Sequence, residues 1–226
     1  ALSSKIKSLY KISKIKIYED RLDANLNDIF QKMLISCNIS SKINNYSFLK
    51  DKKDNFFSGL IPISDYLQIH LDEKWFNNLY IKSYNKINPT NEEFKHFLNE
   101  LLNNNNILIT TGLINFDLID YLASNFLKEK SKKIYYTKKN EKSIYLVIKP
   151  SFDDIESLLR KSKTLISCHG AITHAASSFD VKIVDIIEKN NSLFYKKFTS
   201  YIKNYKHVFR DDFSNIKKNL LSSIYE

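Results

Sequence analysis

The stretch LISCHGAITHAASSF, residues 165–179, places His169 and His174 on either side of Gly170 in a chain with only 3 Gly among 226 residues. An apolar run ends at Cys168 and a small-residue helical stretch begins at once. In that order the backbone N–H groups of Ala171, Ile172 and Thr173 point outward from the start of a helix, with the positive end of its dipole behind them, and such an end accepts phosphate. Gly170 lets a ligand or a neighbouring backbone approach closely; turn geometry alone is the alternative reading of that glycine. His174 lies one turn into the helix and either hydrogen-bonds a ligand phosphate or ribose or is a core histidine bonded to a carbonyl. His169, at the strand tip, is the one candidate for a catalytic group, and the catalytic residue is otherwise unassigned. A Cys168–His169 nucleophile pair is disfavoured, because adjacent residues of an extended segment point to opposite sides. A spacing of five is not a helical metal-ligand spacing and no carboxylate completes a site nearby, so no metal is expected.

Two further places carry usable chemistry. HLDEKW, residues 70–75, closes a strand with His70, Asp72, Glu73 and Lys74. A lysine there can neutralise a diphosphate as a point charge. A charged surface loop with Trp75 plugging the domain edge is the other reading. ILITTG, residues 107–112, brings Thr111 and Gly112 to the end of a second apolar run.

The elements that must position these residues alternate from residue 66 onward. Apolar runs at 66–71, 107–111, 144–149, 164–168 and 181–187 alternate with amphipathic stretches at 91–102, 115–127, 152–162 and 171–179, and a helical pair is expected near 192–204 and 212–224. This pattern predicts an α/β fold, a Rossmann-like parallel sheet with helices on both faces, spanning 61–226. The runs are nearly continuous in apolar residues, as strands covered on both sides require. Gly112 and Gly170 then fall at the carboxyl ends of parallel strands, the edge where open α/β sheets bind ligands. Thr90 with Glu93, and Ser151 ahead of FDDIE, mark two helix starts. Residues 1–60 read differently: LDANLNDIFQKMLISC (22–37) is an amphipathic helix, but its flanks supply little core, so the segment resembles a remnant of another domain plus a linker.

Composition narrows the classes. A hydrophobic content of 43% is enough for a core of native size. The net charge of +10 comes from lysines scattered along the whole chain. It suits a solvated surface, an anionic ligand or a membrane surface, and no specific nucleic-acid partner is expected because no nucleic-acid motif accompanies it. The two cysteines, Cys37 and Cys168, lie far apart without metal or disulfide spacing, which points to a reducing, cytoplasmic location. No apolar run approaches the ~18 residues of a membrane span.

Taken in order, Lys74-Trp75, Thr111-Gly112, FDDIESLLRKSKTLISC and GAITHAASSFDVKIVDI resemble the carboxyl-terminal half of GT-B glycosyltransferases. The nearest group is the heptosyltransferase-like (ADP-heptose:lipopolysaccharide) family, and the likeness runs from about residue 60 to the end. That family has Asp-Ser/Thr-Gly where this chain has Cys168-His169-Gly170, and its histidine follows the glycine by three positions rather than four; its aspartate role is therefore not carried over. The resemblance implies a nucleotide-sugar donor bound between two Rossmann-like domains as a substrate, with no cofactor and no obligatory metal. It places the diphosphate on the helix from Ala171, served by Lys74 and His174. It also implies a glycan or lipid-linked acceptor met at the inner face of the membrane, and a base carried by an amino-terminal domain. Residues 1–60 would be the tail of that domain, the rest lying in a missing N-terminal domain or a partner chain. The competing reading is a non-catalytic Rossmann-like module that binds a nucleotide or a protein partner.

Overall fold

The apolar runs pair into one eight-stranded sheet. In this computed structural model, which describes residues 31–32, 34–35, 38–40, 60–76 and 87–225, the strands are β1 (Tyr66–Leu71), β2 (Ile107–Thr111), β3 (Lys128–Ser131), β4 (Ile134–Lys139), β5 (Lys142–Val147), β6 (Ser162–Cys168), β7 (Lys182–Ile187) and β8 (Tyr205–Phe209). Their order is β3-β4-β5-β2-β1-β6-β7-β8. From β5 to β8 every neighbouring pair is parallel, and β3 and β4 add an antiparallel edge. The fold is thus α/β, with a mostly parallel, Rossmann-like sheet flanked by helices. The chain divides into two compact units, Ala1–Tyr46 with Asn191–Lys203 and Ser47–Asn190 with Asn204–Glu226. The sheet and its carboxyl edge belong to the second. Of the helix expected at 22–37, Gln31, Lys32, Leu34 and Ile35 are helical; its remainder, Cys37 and most of the 1–60 segment lie outside the described residues.

The helices are α1 (Asn91–Leu102), α2 (Asp117–Tyr121), α3 (Phe152–Leu159), α4 (Ala171–Ala176), α5 (Ser192–Thr199) and α6 (Phe213–Tyr225). Both starts read from the sequence are capping boxes: Thr90 with Glu93 opens α1, and Ser151 with Asp154 opens α3. Two helices differ from expectation. The stretch 115–127 begins as α2 and widens into a π-helical turn over Leu122–Phe126. The helical pair expected at 192–204 and 212–224 has a strand between its members, because Tyr205–Phe209 extends the parallel ladder of β7. The β3–β4 edge that precedes β5 was also not legible, whereas β5 itself falls on the apolar run expected at 144–149. The turns on either side of β4 adopt positive φ at Lys133 (68°) and Asn140 (55°) with no glycine to mark them.

Alternation along the strands divides the side chains between two faces. Leu67, Ile69 and Leu71 point to one face and join the core beneath α1 and α6. There Phe94 and Phe97 meet Phe213 at centroid distances of 5.9 and 5.5 Å. Each such fully buried aromatic side chain stabilises the fold by roughly 1.5–3 kcal/mol. The opposite face carries a smaller cluster, Tyr66, Leu108, Tyr145 and Val147, with Leu158 of α3. On that face α4 lies on β6 and β7 beside α3. No helix among the described residues is long and apolar enough to cross a membrane.

Candidate functional site

The strand order reverses beside β1: β2 lies on one side and β6 on the other, with the connections running away in both directions. A crevice outside the carboxyl ends of the strands at such a switch point is where open α/β sheets take ligands. Two segments meet there. Asp72 caps a short 3-10 turn, Glu73–Trp75, by accepting from the Lys74 amide at 3.1 Å. Lys74 Nζ pairs with Asp72 Oδ2 at 3.0 Å and donates to the carbonyl of His169 at 3.0 Å. Burial pushes the Asp72 carboxyl above the ordinary carboxylate range, against the pull of Lys74 and Arg210.

This contact explains the glycines. A Cβ at Gly170 would collide with Lys74 Nζ, and one at Gly112 would meet Asp72 Cβ at 3.0 Å. Neither residue adopts the left-handed region, whereas Asn38, Asp65, Asn88, Lys133, Asn140 and Lys149 do. Gly170 is extended, with φ 176°. Among the described residues glycine therefore serves close approach to the 72–74 turn, while other residue types take the left-handed positions.

Register brings a polar row together one level below the edge. Thr110, His70, Ser167, Asp185 and His207 are successive partners across β2, β1, β6, β7 and β8. Partners in parallel strands share a face, so this row lies on the α4 side of the sheet. The His70 ring bonds Thr110 Oγ1 through Nδ1 at 3.0 Å, and its carbonyl accepts from Trp75 Nε1 at 2.9 Å. Burial and the nearby Lys74 push the His70 pKa down to about 4, so the ring is neutral at pH 7.

Further along the row, on β7, stands Asp185, fully buried. His169 Nδ1 lies 2.6 Å from Oδ2, the Tyr205 hydroxyl donates to Oδ2 at 2.9 Å, and the Thr173 hydroxyl donates to Oδ1 at 3.1 Å. An isolated buried carboxylate would cost several kcal/mol in lost hydration; three partners on two oxygens offset that cost. The His174 ring meets His169 edge-on at 5.2 Å. Its pKa is lowered by burial and then by His169, with Asp185 acting the other way.

Of the residues singled out from sequence, Lys74, His169, Gly170, Thr173 and His174 converge here. Thr111 and Gly112 adjoin the other flank of the 72–74 turn, where Thr111 Oγ1 accepts from the Lys149 amide at 2.8 Å and the Gly112 amide donates to Leu71 O at 2.8 Å. The helix that starts at Ala171 has six residues, shorter than the 171–179 expected. The Thr173 amide donates to the Gly170 carbonyl at 3.1 Å, and its hydroxyl is buried on Asp185, so Thr173 builds the site rather than facing outward. Ile172 is buried and Ala171 exposed. Cys168 lies in the apolar core on the face opposite Asp185, and burial pushes its thiol up, away from nucleophilic chemistry.

Three residues were missed: Asp185, Tyr205 and Arg210. The Arg210 guanidinium is buried; it donates to the carbonyl of Lys74 and to Cys168 Sγ, the latter at 3.3 Å, tying the 72–75 turn to the end of β6. Signals for two of them existed. Asp185 is the sole charged residue inside IVDII, and Arg210 is one of three arginines among 35 basic residues, a chain-wide preference for Lys broken where a planar fork is needed. No model of a known protein family matches the chain, and no curated protein matches it.

Proposed function

We propose that the chain is the donor-binding half of a glycosyltransferase, holding a nucleoside-diphosphate sugar in the crevice between the ends of β1 and β6. One observation carries this reading: Lys74 and the His169–Gly170 segment converge where the strand order reverses. In the transfer, the bond from the anomeric carbon to the β-phosphate oxygen breaks and the acceptor hydroxyl oxygen takes its place. The acceptor proton passes to a base, and the nucleoside diphosphate leaves with the bonding electrons. Positive charge aimed at the leaving group lowers that barrier, and Lys74 is the cation stationed at the crevice. The acceptor is a glycan or a lipid-linked glycan, and the +10 charge suits a position on an anionic membrane surface. The base belongs to the acceptor-binding half, which the resemblance assigns to an amino-terminal domain.

A non-catalytic nucleotide-binding module is the second reading. It is favoured by the engagement of Lys74 with Asp72 and the His169 carbonyl inside the protein. Calorimetric titration with UDP, ADP, GDP and CMP, without added metal, tests both. Micromolar binding of one nucleotide, weakened in Lys74→Ala and His174→Ala, is expected. Silence from all four nucleotides sinks the donor-site reading. Binding without consumption of any donor sugar by the chain together with its acceptor half favours the module.

A further inference from the structure

The donor-binding reading leaves one surface unused: the outer end of the carboxyl edge, where basic and apolar side chains stand exposed together. We infer that this end docks on an anionic membrane, with Leu113 and Ile114 entering the interface and the lysines of the β3–β4 edge meeting the lipid headgroups. The acceptor that docking would bring to the crevice rests on the donor-binding reading; the surface itself rests on its own residues.

Lysines occur along the whole chain, but within residues 61–226 their excess is confined to one place. Residues 128–142 hold seven lysines and two glutamates, and the remainder of 61–226 holds seventeen basic and seventeen acidic residues. Such a block attracts an anionic leaflet within a Debye length, roughly 10 Å at 0.1 M salt. Its position is set by strand direction. Because β4 runs antiparallel to both β3 and β5, the β3–β4 turn comes to the carboxyl edge of the sheet. Backbone contacts then link the strand exits in a row: the Ile148 amide donates to the Lys133 carbonyl at 2.9 Å, the Lys149 amide to Thr111 Oγ1 at 2.8 Å, and the Gly112 amide to Leu71 O at 2.8 Å. Lys132, Lys133 and Lys149, all exposed, therefore share this edge with the loop after β2 and the start of α3. That loop carries Leu113, 81% exposed, and Ile114, the exposed large aliphatic side chains of the second unit among the described residues; Phe152 is exposed at the first position of α3. A single exposed apolar side chain is ordinary. Three at adjoining exits beside lysines have the composition of an interfacial anchor, in which buried apolar area and attraction to anionic lipid add. The exposed Asp117 and Asp153 oppose this, and the surplus of five on the 128–142 segment outweighs them. Lysines also keep an edge strand from pairing with other chains, but that role asks nothing of Leu113. Gly112 adjoins the 72–74 turn, so docking through the next residue brings the crevice to the level of a lipid-linked acceptor.

Co-sedimentation of the whole chain with vesicles, of phosphatidylcholine alone or mixed with an equal part of phosphatidylglycerol, tests the inference. Binding is expected to the mixed vesicles in about 0.1 M salt, and is expected to be lost toward 1 M salt and on phosphatidylcholine alone. Replacing both Lys132→Gln and Lys133→Gln should weaken it about thirtyfold, at roughly fivefold per lysine. Leu113→Ser should weaken it about tenfold. Leu113→Trp places a reporter in the loop: Trp75, the sole natural tryptophan, is fully buried, and the added indole should shift its emission to the blue and be quenched by brominated acyl chains. No binding to the mixed vesicles overturns the inference and leaves the lysines as guards of an edge strand. Binding without quenching overturns the docking face, and binding of a single-stranded oligonucleotide in preference to the vesicles assigns the charge to nucleic acid instead. Nucleotide titration keeps the readings apart. A chain that binds a nucleoside diphosphate but ignores vesicles loses only the docking surface, and one that binds vesicles while silent to all four nucleotides loses only the donor site.

Discussion

The two faces of the sheet are built from the same strands and solve different problems. Under α1 and α6 the face is mainly hydrocarbon, from Leu67 and Ile69 to Val184 and Val208, with Cys168 and the buried Arg210 as its polar exceptions. Under α3 and α4 it is apolar near β5 and turns polar along the row Thr110, His70, Ser167, Asp185. The apolar face gains its stability from area removed from water, which is indifferent to direction. The polar row pays desolvation and recovers it only through directed hydrogen bonds, so each member has a defined partner. The difference teaches where stability and function separate: the first face holds the sheet, and the second aims groups at its carboxyl edge.

The sharpest way to break this division is Phe94→Ala on the apolar face. Loss of a fully buried aromatic side chain packed on Trp75, Phe97 and Phe213 should cost about 3–5 kcal/mol in chemical denaturation. Nucleotide affinity of the folded fraction should stay unchanged; a parallel loss of affinity would mean that the faces are not separable.

Acid acts on the other face. The folded-state pKa of His70, about 4, lies below its ordinary value of 6.5, so between these values the unfolded chain binds more protons. Stability is therefore fully present above pH 6.5 and falls as pH drops toward 4, by about 3 kcal/mol from this group at 1.36 kcal/mol per pH unit. His174 is shifted in the same direction. Denaturation midpoints across that window, compared with His70→Gln, check the sign; an equal slope in the variant would remove His70 as the source.

Smaller effects sharpen the picture near Asp185. Tyr205→Phe takes one donor from a buried carboxylate and should cost about 2 kcal/mol, read from denaturant midpoints at neutral pH; a change within error would mean water replaces the hydroxyl. Gly170→Ala should be the mildest in stability, under about 1 kcal/mol, because the colliding atom is the far end of a flexible lysine. Displacing the Lys74 ammonium should nevertheless weaken nucleoside diphosphate binding roughly tenfold, the equivalent of one charge-assisted contact. Unchanged affinity there would detach Lys74 from the ligand.

Much of this was legible locally. Continuous apolar runs marked β1, β2, β5, β6 and β7, the capping boxes at Thr90 and Ser151 marked two helix starts, and scarcity made Gly112 and Gly170 conspicuous at strand ends. The β3–β4 hairpin was not legible, because Lys133 and Asn140 take turn positions where glycine would have been the signal. β8 fell in the gap left between the two expected helices and was not read at all, since five residues pair as a strand only once β7 offers its edge.

The sequence by itself determined the alternation of strand and helix, because hydrophobic period and capping act over a few residues. It also placed Lys74, Gly112 and His169 at strand exits, whereas His70 lies within β1, one level below the edge. Only the tertiary structure decided which exits face each other. Arg210 reaches Lys74 across 136 positions and Asp185 reaches His169 across 16. Both contacts depend on strand order and register, and a slip of one residue in β7 would turn Asp185 to the apolar face. Neighbour choice and register are settled by packing of the whole sheet, which no short window of residues contains.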